Sequence, residues 1–383
     1  MLYNYFTLII MTEYSLYRKF PGLKELPRVD LVESPTPVER LPKSEEKLGM
    51  QQIWIKRDDL TNSLYGGNKP RKYEFMMADA LEKGKKDILT IGGIGSNHAL
   101  ANTIYCKELG LNSHIFLIDQ PLLPMVRKNM LCDYYFGGHM HYCKSELGVA
   151  CKIIKHFIFN WKSYLIMPGA SVPLGTIGFV NAAFELAKQV KHGEIPEPDH
   201  LFVAVGSGGT CAGLTLGLEL AGLNTKVHGV RVAMHFVTSE RAVLRLAKKT
   251  LKLMRKTDPS IPKISKSKLS ERLRIYHRFY GGEYGRITEE GLEAVEFIKD
   301  DEIELETTYT GKAFSGLLSH CRECQGNEKE KIILFWNTYN SRNLSEICKK
   351  VDYHDLPEVF HKFFDGTISL DKKAVVATEQ NNK

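Results

Sequence analysis

The chain has 383 residues, 43% hydrophobic and 25% charged, with a formal net charge of +7. This is the composition of an ordinary globular protein with room for two domains and at least one large core, which excludes the disordered and fibrous classes. So mild a charge suits an anionic ligand and makes no case for a nucleic-acid partner. The eight cysteines are scattered, and Cys321 and Cys324 form a lone CxxC. Such usage is expected in a reducing, cytoplasmic setting rather than in a disulfide framework.

No stretch approaches the roughly 18 consecutive apolar residues of a membrane span, so no membrane partner is expected. Residues 2–11 are apolar but lack a basic n-region and a cleavage site, and residues 1–20 are read as a loose extension. Dense prolines over residues 26–37 predict an extended segment laid over a domain. Residues 53–56 read as a short strand running into Arg57-Asp58-Asp59, whose carboxylates are read as local ion pairs and caps.

The stretch Tyr65-Gly66-Gly67-Asn68-Lys69-Pro70-Arg71-Lys72 comes next. Lys69 follows a glycine pair at the start of a predicted helix. Pro70 lies in its first turn, and Tyr73, Met76, Met77, Ala80 and Leu81 recur at three- and four-residue spacing. The positive end of the helix dipole disfavours an added ammonium, so a lysine here deprotonates readily and can attack an aldehyde. Taken alone, the segment also fits a surface lysine after a turn.

Residues 88–91 predict a buried strand, Gly92-Gly93-Ile94-Gly95-Ser96-Asn97-His98 a glycine loop, and residues 99–109 a helix. Ser96 and Asn97 could cap that helix or bond a substrate carboxylate. Residues 113–119 read as a strand, 126–165 as a less regular αβ stretch, and 177–190 as a helix. The apolar strand 200–205 ends in Gly206-Ser207-Gly208-Gly209-Thr210 and continues as helix, the best phosphate cradle in the chain. A dinucleotide site also uses such glycines, but the next strand, 226–232, offers Arg231 and no acidic residue. Residues 240–278 read as one or two helices with a solvated basic face, in preference to an RNA-binding surface. Thr288 is expected to cap a helix after the loop Gly281-Gly282-Glu283-Tyr284-Gly285. Thr307-Thr308-Tyr309-Thr310-Gly311-Lys312 precedes another helix, and 331–336 is the last strand. Strands alternating with helices predict an α/β fold with parallel sheets and ligands at the strand ends.

Six stretches in this order resemble the 1-aminocyclopropane-1-carboxylate deaminase/D-cysteine desulfhydrase family. They are Lys56-Arg57-Asp58-Asp59, GGNKPRK at 66–72, GGIGSNH at 92–98, GSGGTCAGL at 206–214, GEYG at 282–285 and YTGK at 309–312. The resemblance runs from Leu26 to Trp336. It implies a two-domain tryptophan-synthase-β-like fold (fold type II) with helices on both faces of parallel twisted sheets. Residues 21–71 and 178–365 would form a large domain, 72–177 a small one, and 366–383 a tail.

The resemblance also implies pyridoxal 5'-phosphate as cofactor. Lys69 would form the Schiff base, and Gly206, Ser207, Gly208, Gly209 and Thr210 would hold the phosphate. Asn97 would bond the phenolic oxygen and Thr338 the pyridine nitrogen. Ser96, Asn97 and His98 would bind substrate, and Tyr284 and Tyr309 would flank it, with Lys69, Tyr284, Tyr309 and Ser96 catalytic. Thr310 and Thr338 match the desulfhydrase branch rather than the YEGK pattern of the deaminase branch. The implied reaction is α,β-elimination on a small amino acid, D-cysteine first, in a homodimeric lyase. The alternatives are 1-aminocyclopropane-1-carboxylate deamination and a non-catalytic cofactor-binding homologue. Departures are Asn337-Thr338-Tyr339-Asn340 where the family has HTGG, Gly95 for glutamine and Val172 for asparagine.

Overall fold

The structure is a computed structural model that describes residues 14–122 and 124–365. Its strands, in chain order, are β1 (Val38–Arg40), β2 (Gln52–Lys56), β3 (Asp87–Gly93), β4 (Asn112–Ile118) and β5 (His139–Tyr142), then β6 (Ser163–Ile166), β7 (His200–Val205), β8 (Lys226–Arg231), β9 (Leu273–Tyr276) and β10 (Ile332–Trp336). They form a six-stranded sheet in the order β1-β2-β10-β7-β8-β9 and a four-stranded sheet in the order β5-β4-β3-β6. Every pairing is parallel except β1 with β2. Strands of a parallel sheet are covered on both faces, which demands nearly continuous apolar runs. β7 and β10 meet that demand with Leu201, Phe202, Val203, Ile333, Leu334, Phe335 and Trp336, all fully buried. The four-stranded sheet uses residues 87–166 only, and the larger sheet gathers strands from either side of them.

The helix Lys69–Glu82 joins the two sheet layers, and its placement is tightly determined. Gly178, on the helix Pro173–Lys191, lies so close that a Cβ there would meet the Arg71 carbonyl oxygen at 1.8 Å. On the same side, the buried Arg71 guanidinium reaches Asp58 at 2.7 Å and Glu185 at 2.9 Å. Lys56 joins Glu185 at 2.6 Å, and the Trp336 indole N–H donates to Asp58 at 2.7 Å. Burial alone would raise the Glu185 carboxyl, but Arg71 and Lys56 hold it well below the usual carboxylate range. Removing one partner from such a network strands a buried charge, at a cost of about 3–5 kcal/mol. Asp58 is thus drawn into a long-range network with Glu185, while Asp59 pairs locally with Arg57 at 2.9 Å.

Three sequence expectations are adjusted. Residues 14–20 are not loose: Ser15–Lys19 is helical, and Tyr14, Leu16, Tyr17 and Phe20 are buried in the core beside Phe75 and Phe184. Aromatic and leucine side chains at near-helical spacing gave that segment a face to bury; residues 1–13 lie outside the described residues. The stretch 240–278 holds the helices Glu240–Thr257 and Lys266–Arg272 but also the edge strand β9, and β1 is a further short strand. Residues 344–360, expected with the large domain, pack against the four-stranded layer. Leu344 joins Ile88, Leu100 and Tyr105, while Leu356 and Phe360 join Ile115, Leu117 and Met130. The expected tail 366–383 lies outside the described residues.

Candidate active site

The loop before Lys69 is shaped by close backbone packing. A Cβ on Gly66 would lie 1.9 Å from the Asp59 carbonyl oxygen, and Gly67 has φ +85° with the Thr338 and Tyr339 carbonyls 2.8 Å from its Cβ position. Only glycine fits both demands. Residues 337–340 thus form the wall behind the lysine loop. The Asn68 N–H donates to the Thr338 carbonyl at 3.4 Å, and the Gly66 N–H donates to Asn340 Oδ1 at 2.7 Å. Asn340 thereby gives a structural reason for one departure from the family pattern.

Lys69 opens its helix and donates from Nζ to Asn68 Oδ1 at 2.6 Å. Burial pushes its ammonium down to about 8, against the pull of the Glu306 carboxylate. A buried amine so close to neutrality exists partly as the free base, the form that attacks carbonyls and accepts protons. Asn68 in turn donates from Nδ2 to Thr210 Oγ1 at 3.3 Å, which links the lysine to the second glycine loop.

That second loop ends β7 and opens the helix Gly209–Ala221, with Gly208 at φ +85°. Its surroundings include a group not singled out from the sequence. Lys72 lies three residues after Lys69, hence on the same helix face, whereas Arg71 points to the ion network. Lys72 Nζ donates to the Gly169 carbonyl at 3.0 Å and to Ser171 Oγ at 3.2 Å. Ser171 Oγ is 2.6 Å from Ser207 Oγ and accepts from the Gly209 N–H at 3.1 Å. Burial, and then the Lys69 cation, push the Lys72 ammonium well below its ordinary value. Among the described residues no carboxylate pairs with it. A desolvated cation beside a helix N-terminus is a site that an anion would stabilise.

Beside the second loop, with the Tyr309 ring 4.0 Å from the Cβ position of Gly206, the Tyr284 and Tyr309 hydroxyls hydrogen-bond each other, with ring centroids 6.2 Å apart. Burial raises both phenols; Tyr309 is lifted further by Tyr284 and Glu306, while the bond to Tyr309 partly offsets the rise at Tyr284. Both therefore hold their protons at neutral pH. Glu306 was not anticipated as a site residue. Its carboxylate accepts from the N–H groups of Thr308, Tyr309 and Thr310 at 2.7, 2.8 and 2.6 Å, capping the helix Thr310–Glu323. An acidic residue just ahead of a helix start was the available signal. Lys312 donates to the Tyr280 carbonyl at 2.9 Å and so anchors the loop that carries Tyr284.

The loop after β3 is tied to the loop before Lys69 by Tyr65, whose hydroxyl donates to the Asn97 carbonyl at 3.3 Å. Ser96 is a helix cap: its Oγ accepts from the His98 and Ala99 N–H groups at 3.2 and 3.3 Å. Its own O–H is left to donate elsewhere. Asn97 Oδ1 accepts from Asn129 Nδ2 at 3.0 Å, which leaves the Asn97 amide N–H groups as donors. His98 is a correction. Its side chain was expected beside a substrate carboxylate, but Nδ1 lies 2.8 Å from the Tyr73 hydroxyl and Nε2 lies 2.8 Å from Thr90 Oγ1. The ring is buried and stacked on Tyr73, so both nitrogens serve the core. Burial, then Lys69 and Lys72, hold it neutral by pushing its pKa well down.

Comparison with known proteins bears on what this cleft is for. The family described as pyridoxal-phosphate dependent enzyme matches residues 29–338. A Klebsiella pneumoniae D-cysteine desulfhydrase is 33% identical over 307 residues, 78% of this chain and 89% of that protein. A Pyrococcus horikoshii protein provisionally named 1-aminocyclopropane-1-carboxylate deaminase is 34% identical over 326 residues, 83% of this chain and 93% of that protein. This chain belongs to the 1-aminocyclopropane-1-carboxylate deaminase/D-cysteine desulfhydrase family of pyridoxal-phosphate-dependent enzymes. The crystal structure of a 1-aminocyclopropane-1-carboxylate deaminase homologue aligns with TM-score 0.72 at 30% identity, over 88% of this chain and 100% of that one. A tomato threonine deaminase shares the fold alone, with TM-score 0.59 at 18% identity over 87% of this chain and 86% of that one. These neighbours establish fold type II.

The cofactor of this deaminase/desulfhydrase family member is pyridoxal 5'-phosphate, and the cleft suits it. A Cβ added at Gly206 would meet only Val232 at 3.9 Å and the Tyr309 ring at 4.0 Å, so there is room beside that ring. The Lys72 cation and the helix N-terminus supply the anion-binding end of that room, and the Lys69 amine stands next to it. The Thr338 hydroxyl has no hydrogen-bond partner among the described residues and remains available to a ligand.

Proposed function

We propose that this enzyme catalyses α,β-elimination on a small amino acid with a leaving group on its β-carbon, D-cysteine first. The balanced reaction takes D-cysteine and water to pyruvate, hydrogen sulfide and ammonia. Pyridoxal phosphate supplies the electron sink for the carbanion formed at the substrate α-carbon. In this reading residues 206–210, Ser171 and Lys72 hold the phosphate end. Asn97 donates to the cofactor's phenolic oxygen, and the Ser96 hydroxyl donates to the substrate carboxylate. The Lys69 amine accepts the α-proton. The Tyr284–Tyr309 pair, both phenols protonated, stands ready to give a proton to the departing thiolate.

The observation that carries the choice of reaction is the chemistry of the groups around Lys69. Thr310 occupies the second position of YTGK, and the Glu306 carboxylate is consumed as a helix cap. Thr338 offers a hydroxyl where a carboxylate would keep a pyridine nitrogen protonated. A weaker electron sink is adequate for expelling a good leaving group such as thiolate, and less so for opening a cyclopropane ring. Deamination of 1-aminocyclopropane-1-carboxylate is the second reading, because relatives with that name are as similar as the desulfhydrases.

One assay separates them. The holoenzyme is given D-cysteine, L-cysteine and 1-aminocyclopropane-1-carboxylate in turn, and the 2-oxo acid released is identified. Pyruvate with sulfide from D-cysteine supports the proposal, and a four-carbon oxo acid from the cyclopropane substrate replaces it with the second reading. A visible cofactor band with no oxo acid from any of the three removes both. The reading includes a cytoplasmic homodimer, the second part of which light scattering on the eluted protein checks.

A further inference from the structure

One face of the four-stranded sheet carries an unusual density of histidine. Along β4 and β5, His114 is the register partner of His139, and Phe116 that of His141. His114 stacks on His139 with ring centroids 4.6 Å apart, and His156 reaches down from the helix Glu146–Phe159 to 4.5 Å from His114. Asp87, the first residue of β3, completes the group. Among the described residues, Asp87, His114 and His156 are the one set whose ligand atoms all lie within 4.8 Å of one another. None of these residues takes part in the cleft chemistry above. Asp87 opens β3, whereas the glycine loop that serves the cleft closes it, a separation of about 20 Å for a strand of this length.

The surrounding bonds orient the group as ligand shells do. His114 Nε2 faces Asp87 Oδ1 at 3.7 Å, and its Nδ1 lies 3.3 Å from His141 Nε2. With the proton on Nδ1 donated to His141, the lone pair of His114 Nε2 points at the shared space. Asn112 Nδ2 donates to Asp87 Oδ1 at 2.8 Å and fixes that carboxylate. His156 Nε2 is the telling atom: it is buried and has no hydrogen-bond partner. A buried polar atom without a partner is rare and calls for a ligand. The Asp87 and His114 side chains are 18% and 15% exposed, which leaves a path for an ion and a water.

We propose that Asp87, His114 and His156 bind one divalent zinc-type cation, with water as the fourth ligand. Two imidazoles and a carboxylate suit that ion at about 2.0–2.2 Å each, and modest side-chain rotation closes the present separations. The gain is local. The helix Glu146–Phe159 buries only Val149 and Ile153 against the sheet, so a metal bridging His156 to β3 and β4 fastens a weakly held element.

The test uses holoenzyme stripped by a chelator and then titrated with Zn2+, with bound metal read by atomic emission and affinity by calorimetry. One Zn2+ per chain is expected. His156→Gln and Asp87→Asn should each weaken binding at least about tenfold, and His141→Gln, which only orients His114, by about tenfold. Substituted Co2+ should give visible bands without thiolate charge transfer. Absence of stoichiometric binding, or affinity unchanged from the unsubstituted enzyme in either ligand variant, overturns the proposal, as does a thiolate signature. Should the variants fail to fold, footprinting of the native enzyme with diethyl pyrocarbonate decides. Zn2+ shielding of His114, whose side chain is 15% exposed, supports the site, and His114 modified equally with and without Zn2+ refutes it.

Discussion

The two ends of the cleft are built on different plans. At the anion end, a strand, a glycine loop and a helix N-terminus follow one another in the chain, and the recognition is mostly backbone geometry. In the reaction part, the Tyr284–Tyr309 pair, Glu306 and the wall at 337–340 come from separate segments, and side chains are proposed to do the discriminating. In the proposed reading the phosphate loop is local and contiguous, although Lys72 and Ser171 join it from elsewhere in the chain, and choice of reaction rests wholly on long-range assembly.

Lys69 stands between the ends, and Lys69→Ala should break both plans at once. Turnover should fall by about 10³-fold or more, with loss of the visible cofactor band, in a spectrum and an oxo-acid assay run together. Lys72→Met probes the anion end alone. Losing a buried charged hydrogen-bond donor should weaken cofactor binding by about 10- to 100-fold, measured by equilibrium dialysis, while kcat at saturating cofactor changes far less. If kcat collapses instead, the two ends are not separable.

Tyr284→Phe and Tyr309→Phe probe the reaction end. Each should lower kcat by about tenfold or more at unchanged cofactor affinity, and the double variant should be little worse than the poorer single one, because the hydroxyls act as a unit. The pH dependence sharpens the role of Lys69. Only the neutral amine takes up the cofactor, and its value near 8 lies below that of an ordinary lysine. Uptake by the apoenzyme should thus rise about tenfold per pH unit on the acid side and level off above about pH 8. The smallest effect is expected for Asn340→Ala, which deletes the bond to the Gly66 N–H. It should cost about 1 kcal/mol in thermal or denaturant unfolding.

The contrast between the two ends also explains what could be read from the chain alone. The strand–glycine loop–helix units at 88–109 and 200–220 and the lysine behind Gly66-Gly67 are local patterns, and they were legible. Lys72 was in view within GGNKPRK, but its partner Ser171 is about a hundred residues away, so its direction was not. His98 misled for the same reason: the chain shows a polar residue beside a glycine loop, but not the Tyr73 and Thr90 groups that claim its nitrogens. The segment 14–20 was discounted for its position, although its aromatic residues already marked a face that needed covering. Glu306 went unremarked because a helix cap and an active-site charge look alike in sequence.

The packing of Leu344, Leu356 and Phe360 against the four-stranded layer bears on how the polypeptide is made. That layer takes its strands from residues 87–166, yet its cores close only with side chains that leave the ribosome almost two hundred residues later. The sheet can collapse during synthesis, but part of its apolar surface must wait uncovered until translation is nearly finished. A ribosome stalled before Leu344 would therefore display Lys69 and the glycine loops on a half-clothed body, which is the kind of surface that chaperones hold.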